Sequence, residues 1–292
     1  MRSDFCKTAI RSVISVIESE SITRIKEIVS YHGYKSLKKN NVYSNHLTKE
    51  IIEVKDTIEN NVLTIKCKYA ENSGNTEETF RFNLLPENID RRSGRISNDE
   101  FGEKRKSKLS AATGVWEVGW YIPSKKYPEE FKSDALTQQI WQNKEKVAPE
   151  ILAIAMYCVA KNKEYPIFDI DIIAPIPNHK NDPYKHCKAV SIGTYLTEIL
   201  KKNGNDNIRF DRHLLIKNID IKTKGMGTAE KESFYGNNQV YSINKDSGNL
   251  KGKKILLVDD VITQGFTAEQ CLNSLAGNAS ELYFYAAGTT KL

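Results

Sequence analysis

Residues 255–267, ILLVDDVITQGFT, join an apolar run, two adjacent acids, a hydroxyl-rich turn with one glycine, and the first residues of a helical pattern. The four apolar residues 255–258 predict a central strand of a parallel sheet, buried on both faces. In open α/β sheets, ligands bind beyond the carboxyl ends of the strands, so Asp259 and Asp260 are expected side by side at the sheet's rim. The turn that follows points several backbone N–H groups at one spot. It adds the hydroxyls of Thr263 and Thr267, and the positive end of a helix dipole lies behind them. Such a cradle suits a phosphate, whereas the two carboxylates suit sugar hydroxyls or a divalent cation. An ordinary strand–turn–helix crossover contains each part separately. The full order of apolar strand, Asp-Asp, two branched residues, hydroxyl, any residue, Gly, any residue, hydroxyl is much rarer, and this favours a ligand site.

The surrounding chain carries the rhythm such a strand needs. DALTQQIWQNK predicts a helix with Ser133 or Asp134 as N-cap, and EILAIAMYCVAKN a second with Pro149 in its first turn. FDIDIIAPIP reads as a short apolar strand ending in two prolines, and AVSIGTYLTEILKKNG as a long helix stopped by Gly204. VYSI precedes the KKILLVDD strand, TAEQCLNSLAG predicts a helix, and ELYFYAAG a last strand. Strands alternating with helices of this length predict an α/β fold, a central, mostly parallel sheet with helices on both faces. Trp116, Trp120 and Trp141 are expected to fill its core.

The N-terminal part differs in texture. Ile10, Val13, Ile14 and Ile17, then Ile22, Ile25, Ile28 and Val29, recur at helical spacing and predict two short helices. VLTIKCKY and TFRFNLL alternate about the turn residues ENSGNTEE, which predicts a β-hairpin within 60–85. Residues 87–110 are charged and poor in large apolar residues, as a linker would be. The expected organisation is an N-terminal α+β accessory region over 1–110, including that linker, and a second domain over 111–292.

Composition excludes some classes. No stretch is apolar enough to span a bilayer, and the acidic residues near the start predict an amphipathic helix instead of a signal peptide. Five scattered cysteines form no CxxC pair, so neither a disulfide framework nor a cysteine zinc site is expected, and a reducing cytoplasm is the expected setting. A formal charge of +6 and a pI near 8.8 suit a polyanionic partner, nucleic acid or phosphorylated metabolite, without choosing between them. The clustered Arg91, Arg92, Arg95, Lys104, Arg105, Lys106 and Lys108 read as a solvated basic loop before a nucleic-acid contact. His179 and His186 lack a third ligand at metal spacing, Gly225 and Gly227 lack the preceding strand of a dinucleotide fingerprint, and Cys187 reads as a buried small side chain.

On the residues above, the 255–267 segment resembles the phosphoribosyl pyrophosphate motif of type I phosphoribosyltransferases. Across roughly 116–288 the chain is similar to the ComF-like branch of that superfamily. DIIAPIPNHKNDPYKHCKAVSIGTYLTEIL resembles that branch's first strand, pyrophosphate-side loop and following helix. AEKESFYGNNQVYSI resembles the stretch before the motif strand. The resemblance implies a type I phosphoribosyltransferase fold with an N-terminal α+β extension. It implies that Asp259 and Asp260 hold the ribose hydroxyls directly or through Mg²⁺, as the catalytic and metal-binding pair. Val258, Val261, Ile262, Thr263, Gln264, Gly265, Phe266 and Thr267 would form the ligand-binding segment, the last five around the 5′-phosphate. Asn178, His179 and Lys180 would lie beside the pyrophosphate, and residues 222–228 would form a mobile hood. Lys180, Lys185, Lys222 or Lys224 would supply positive charge to the leaving group. The chain departs from the family in lacking a zinc ribbon, in placing Gln264 and Phe266 in the turn, and in a loop after the first strand with fewer arginines.

Two functions follow as expectations. The first is binding of phosphoribosyl pyrophosphate, or another ribose 5-phosphate ligand, with Mg²⁺ and transfer of ribose phosphate to an unidentified acceptor. The second is a non-catalytic ligand-sensing or nucleic-acid-handling protein that keeps the fold. No membrane partner is expected, and a homodimer is left open.

Overall fold

The computed structural model describes residues 50–71, 74–85, 109–142, 150–177, 187–219 and 225–291. The two N-terminal helices predicted before residue 42 and nearly all of the charged linker lie outside them. Of the described residues, 53–68 and those from 77 onward belong to one compact unit, and 50–52, 69–71 and 74–76 to a second.

The first described elements are β1 (Glu50–Glu59), β2 (Val62–Glu71) and β3 (Gly74–Asn83), a three-stranded sheet in that order. The predicted hairpin is β2 and β3, and β1 is an added strand. EIIEVKDTIE mixes its polar residues irregularly, so its period of two is weak.

The centre of the large unit is a five-stranded, all-parallel sheet in the order β4-β10-β9-β5-β6. Its strands are β4 (Gly114–Tyr121), β5 (Ile172–Pro175), β6 (Arg209–Phe210), β9 (Lys254–Ile262) and β10 (Glu281–Thr290). Helices flank it. They are α1 (Pro128–Ser133), α2 (Ala135–Gln142), α3 (Glu150–Asn162), α4 (Lys188–Lys202), α5 (Thr228–Asn237) and α6 (Phe266–Leu275). An antiparallel ribbon of β7 (Leu215–Lys217) and β8 (Tyr241–Ile243) packs with α6 over one face, where Leu214, Tyr241, Leu272 and Leu275 join Ile255, Leu257 and Phe284 in one apolar cluster.

The helix signals have local physical causes. Asp134 caps α2 by accepting the Thr137 N–H at 2.7 Å. In α4, Ala189, Ile192, Gly193, Leu196, Thr197 and Leu200 are buried at helical spacing, and Gly204, at φ +104°, follows its last turn. Nearly every residue of α3 from Ile151 to Ala160 is buried, so this helix is covered on most sides. Tyr285 on β10 donates its hydroxyl to the carbonyl of Met156 in α3 at 2.7 Å, which pins that helix across the sheet.

Trp116 is buried and stacks between Tyr165 and Tyr283, with ring centroids 4.8 and 4.9 Å away. Trp120 is half-buried against Leu85. Trp141 departs from expectation. It is 46% exposed and meets the edge of Phe131, because the apolar stripe of α2 turns Leu136 and Ile140 inward instead.

β3 leads into the large sheet's edge through Leu84, which bridges Gly119 of β4. A Cβ at Gly119 would lie 2.3 Å from the carbonyl oxygen of Asn83 and 2.7 Å from Leu136. Only glycine lets these two segments approach so closely.

Candidate functional site

The strand order contains a topological switch. From β5 the chain crosses through α4 to β6 on one side, whereas β9 lies on the other side of β5. Such a reversal opens a crevice beyond the carboxyl ends of the two inner strands, where ligands bind in open α/β sheets. The end of β5 at Pro175 and the acids of β9 meet there.

β9 is longer than the apolar run predicts. β5 pairs with it only as far as Pro175 opposite Val258, where the Ile176 N–H donates to the Val258 carbonyl at 3.0 Å. β10 continues alongside to Thr289 opposite Ile262. Asp259, Asp260, Val261 and Ile262 are therefore strand residues paired to β10, and the turn proper is only residues 263–265. The ladder with β10 carries the strand past the KKILLVDD run to Val261 and Ile262, expected in the turn.

Each acid holds the next backbone amide. Asp259 Oδ1 accepts the Asp260 N–H at 2.9 Å, and Asp260 Oδ1 accepts the Val261 N–H at 3.0 Å. The Lys188 ammonium, on the first residue of α4, lies 3.3 Å from Asp260 Oδ2 and also donates to the Ile140 carbonyl. Burial and the neighbouring Asp260 carboxylate push the Asp259 carboxyl well above the usual range, and Lys188 offsets this only in part. Two carboxyls crowded in this way favour whatever brings positive charge or hydroxyl donors between them: a proton, a hard divalent cation, or a diol. The oxygen-only donor set of Asp259 and Asp260 fits Mg²⁺.

Beyond the acids, Gly265 sits at φ +88° as the N-cap of α6. Glycine has no side-chain oxygen to cap the helix, so the first N–H groups of α6 are left to an outside acceptor. They border an open cavity of about 200 Å³, lined by Asp259, residues 261–268, Lys231 and Tyr235. The turn is braced on both sides. Thr263 and Thr290 hydroxyls share a hydrogen bond at 2.9 Å, and Gln264 donates its amide to the Thr228 hydroxyl at 2.6 Å. The Thr267 and Tyr235 hydroxyls share another at 3.1 Å, and Phe266 stacks on Tyr235 with centroids 6.0 Å apart.

Of the residues singled out in the sequence, Asp259, Val261, Ile262, Thr263, Gln264, Gly265, Phe266 and Thr267 line this one cavity. Asp260 is not among its lining residues and pairs with Lys188. Val258 is fully buried, with its carbonyl spent on Ile176. Thr267 is in the first turn of α6, not in the loop. Asn178, His179, Lys180, Lys185, His186, Lys222 and Lys224 lie outside the described residues. Cys187 is only half-buried, and desolvation, with Asp259 and Asp260 nearby, pushes its thiol up to about 11.

Sequence reasoning missed Lys188, Lys231 and Tyr235. Lys188 was legible as the first residue of a long helix that follows a strand with its carboxyl end in the crevice. The α5 residues carried almost no signal, because Tyr235 is the one buried residue of that helix and no apolar stripe marks it.

Among the described residues, no helix is long and apolar enough to cross a membrane. No family model matches the sequence, and no curated protein matches it.

Proposed function

We propose that the chain binds a ribose 5-phosphate ligand, phosphoribosyl pyrophosphate with Mg²⁺, on a type I phosphoribosyltransferase fold, and transfers ribose phosphate to an acceptor. The observation that carries this reading is the coexistence, at one switch-point crevice, of a crowded acid pair and a glycine-capped phosphate cradle that share a single cavity wall at Asp259. The all-parallel sheet with flanking helices is compatible with that fold. The sequence resemblance names the donor.

The chemistry follows from what these residues hold. The N–H groups at the start of α6 and the Thr263 and Thr267 hydroxyls grip the 5′-phosphate and anchor the sugar. Asp259 and Asp260 accept from the ribose 2′- and 3′-hydroxyls or hold the cation, which fixes the ring against the acceptor. As the bond from the anomeric carbon to pyrophosphate breaks, positive charge develops on the ribose, and the two carboxylates stabilise it. Mg²⁺, when bound, neutralises charge on the departing pyrophosphate. Lys188 orients Asp260 through its contact at 3.3 Å.

Calorimetric titration with phosphoribosyl pyrophosphate and Mg²⁺ tests binding, and pyrophosphate release across a panel of bases and cell extract tests transfer. Binding that is lost in Asp259→Asn/Asp260→Asn, with release that depends on Asp260, supports the proposal. No binding by the wild-type protein, or unchanged binding in the double variant, overturns it. Binding without release under any acceptor would identify a ligand sensor.

A further inference from the structure

We infer that Lys231 of α5 is a phosphate-binding residue that selects for a phosphorylated end group in the cavity; the inference rests on the ribose 5-phosphate reading of that site.

Lys231 lines the same cavity as Gly265, Thr263 and Asp259, yet its own helix is remote in sequence from the turn. Its ammonium pairs with no carboxylate among the described residues, although Asp259 lines the same cavity. Lys188, which lies beside the acid pair, is committed to Asp260. Lys231 is thus a half-buried cation that lines a polar cavity and pairs with none of the described acids.

α5 is positioned for this task by contacts to the cradle itself. Gln264 reaches Thr228 in the first turn of α5, and Tyr235, one turn beyond Lys231, bonds Thr267 and stacks on Phe266. Gln270 of α6 donates to the Tyr235 carbonyl. Residues 228, 231 and 235 fall on one side of a helix, at intervals of three and four. Thr228 and Tyr235 therefore tie down the two turns between which Lys231 projects. Backbone N–H groups alone hold an anion of any kind through partial charges. A full positive charge added from α5 favours the doubly charged phosphate monoester over neutral or singly charged groups.

The test uses the full chain and ribose 5-phosphate, with inorganic phosphate as competitor. Lys231→Met keeps the aliphatic stem and removes the charge, and Lys231→Arg restores a cation. Expected is about a tenfold or greater loss of ribose 5-phosphate affinity in Lys231→Met, with a similar loss in competition by inorganic phosphate. The wild-type protein and Lys231→Arg should weaken more steeply with added salt than Lys231→Met does. A merely structural lysine would not change that salt dependence. Wild-type binding with undiminished affinity in Lys231→Met, or a loss that leaves the salt dependence unchanged, overturns the role of Lys231 alone. Failure of the wild-type protein to bind ribose 5-phosphate overturns the reading of the site and this inference with it.

Discussion

Lys188 Nζ stands 3.3 Å from Asp260 Oδ2, with the ammonium only 14% and the carboxylate 31% exposed at their side chains. The same ammonium bonds the Ile140 carbonyl near the end of α2, so one cation links α4, α2 and the acid pair of β9. Lys188→Met removes that link and leaves a partly buried carboxylate and a carbonyl without their donor. A loss of about 1–2 kcal/mol is expected, at the low end for charge-assisted bonds because Asp260 retains some solvent. Urea unfolding of Lys188→Met, Asp260→Asn and the double variant measures the coupling. Additive losses would mean that the pair does not interact.

The acid pair also has a cost to stability. Asp259 has its carboxyl raised well above the ordinary value of 3.8 by burial and by Asp260. The folded protein therefore keeps a proton that the unfolded chain has released. Stability falls as pH rises from about 3.8 toward the raised value, and the cost persists above it. Asp259→Asn removes this decline, and at neutral pH it is expected to be more stable than wild type, while ligand binding is lost. Melting temperatures of the two proteins between mildly acidic and neutral pH decide it. Parallel profiles would remove the repulsion argument.

Much of this arrangement is visible in the sequence because several local signals agree. The run Ile255–Val258 is apolar enough to be only a buried strand, Asp134 precedes an amphipathic run, and Gly204 follows one. These features act through neighbours a few residues away. The end of β9 does not, since residues 261–262 are strand through pairing with β10, which no local period encodes. β4 is equally hidden: GVWEVGWY is buried nearly throughout, including Glu117, so alternation is absent. Lys231 enters the site through α5, whose tie to the turn consists of long-range polar contacts and one aromatic stack. The hydroxyls of Thr228 and Tyr235 reveal nothing of their partners until the chain is folded.

Gly119 offers a stability test away from the cavity. Its missing Cβ would meet the Asn83 backbone oxygen at 2.3 Å, and a backbone atom cannot rotate away. Gly119→Ala should push Leu84 from β4 and cost about 1–3 kcal/mol as overpacking. Chemical denaturation reads the cost, and amide exchange at Leu84 and Leu85 locates it. An unchanged denaturation midpoint would show that this junction yields freely.

Gly265 offers the complementary test, of function more than stability. At φ +88° it holds a left-handed conformation that costs an L side chain about 1–2 kcal/mol. Gly265→Ala either keeps that conformation under strain or rotates the turn, which re-aims the N–H groups that open α6. The first outcome lowers stability by that amount, and the second lowers affinity for a phosphate ligand far more than it lowers stability. Asn tolerates the left-handed region better than Ala, so Gly265→Asn should recover part of the stability. Its side chain still projects from a residue that lines the cavity, so it should not recover full binding. Thermal melts and ribose 5-phosphate titrations on both variants separate these effects. Full affinity in Gly265→Ala would mean that the anion is not held by the start of α6.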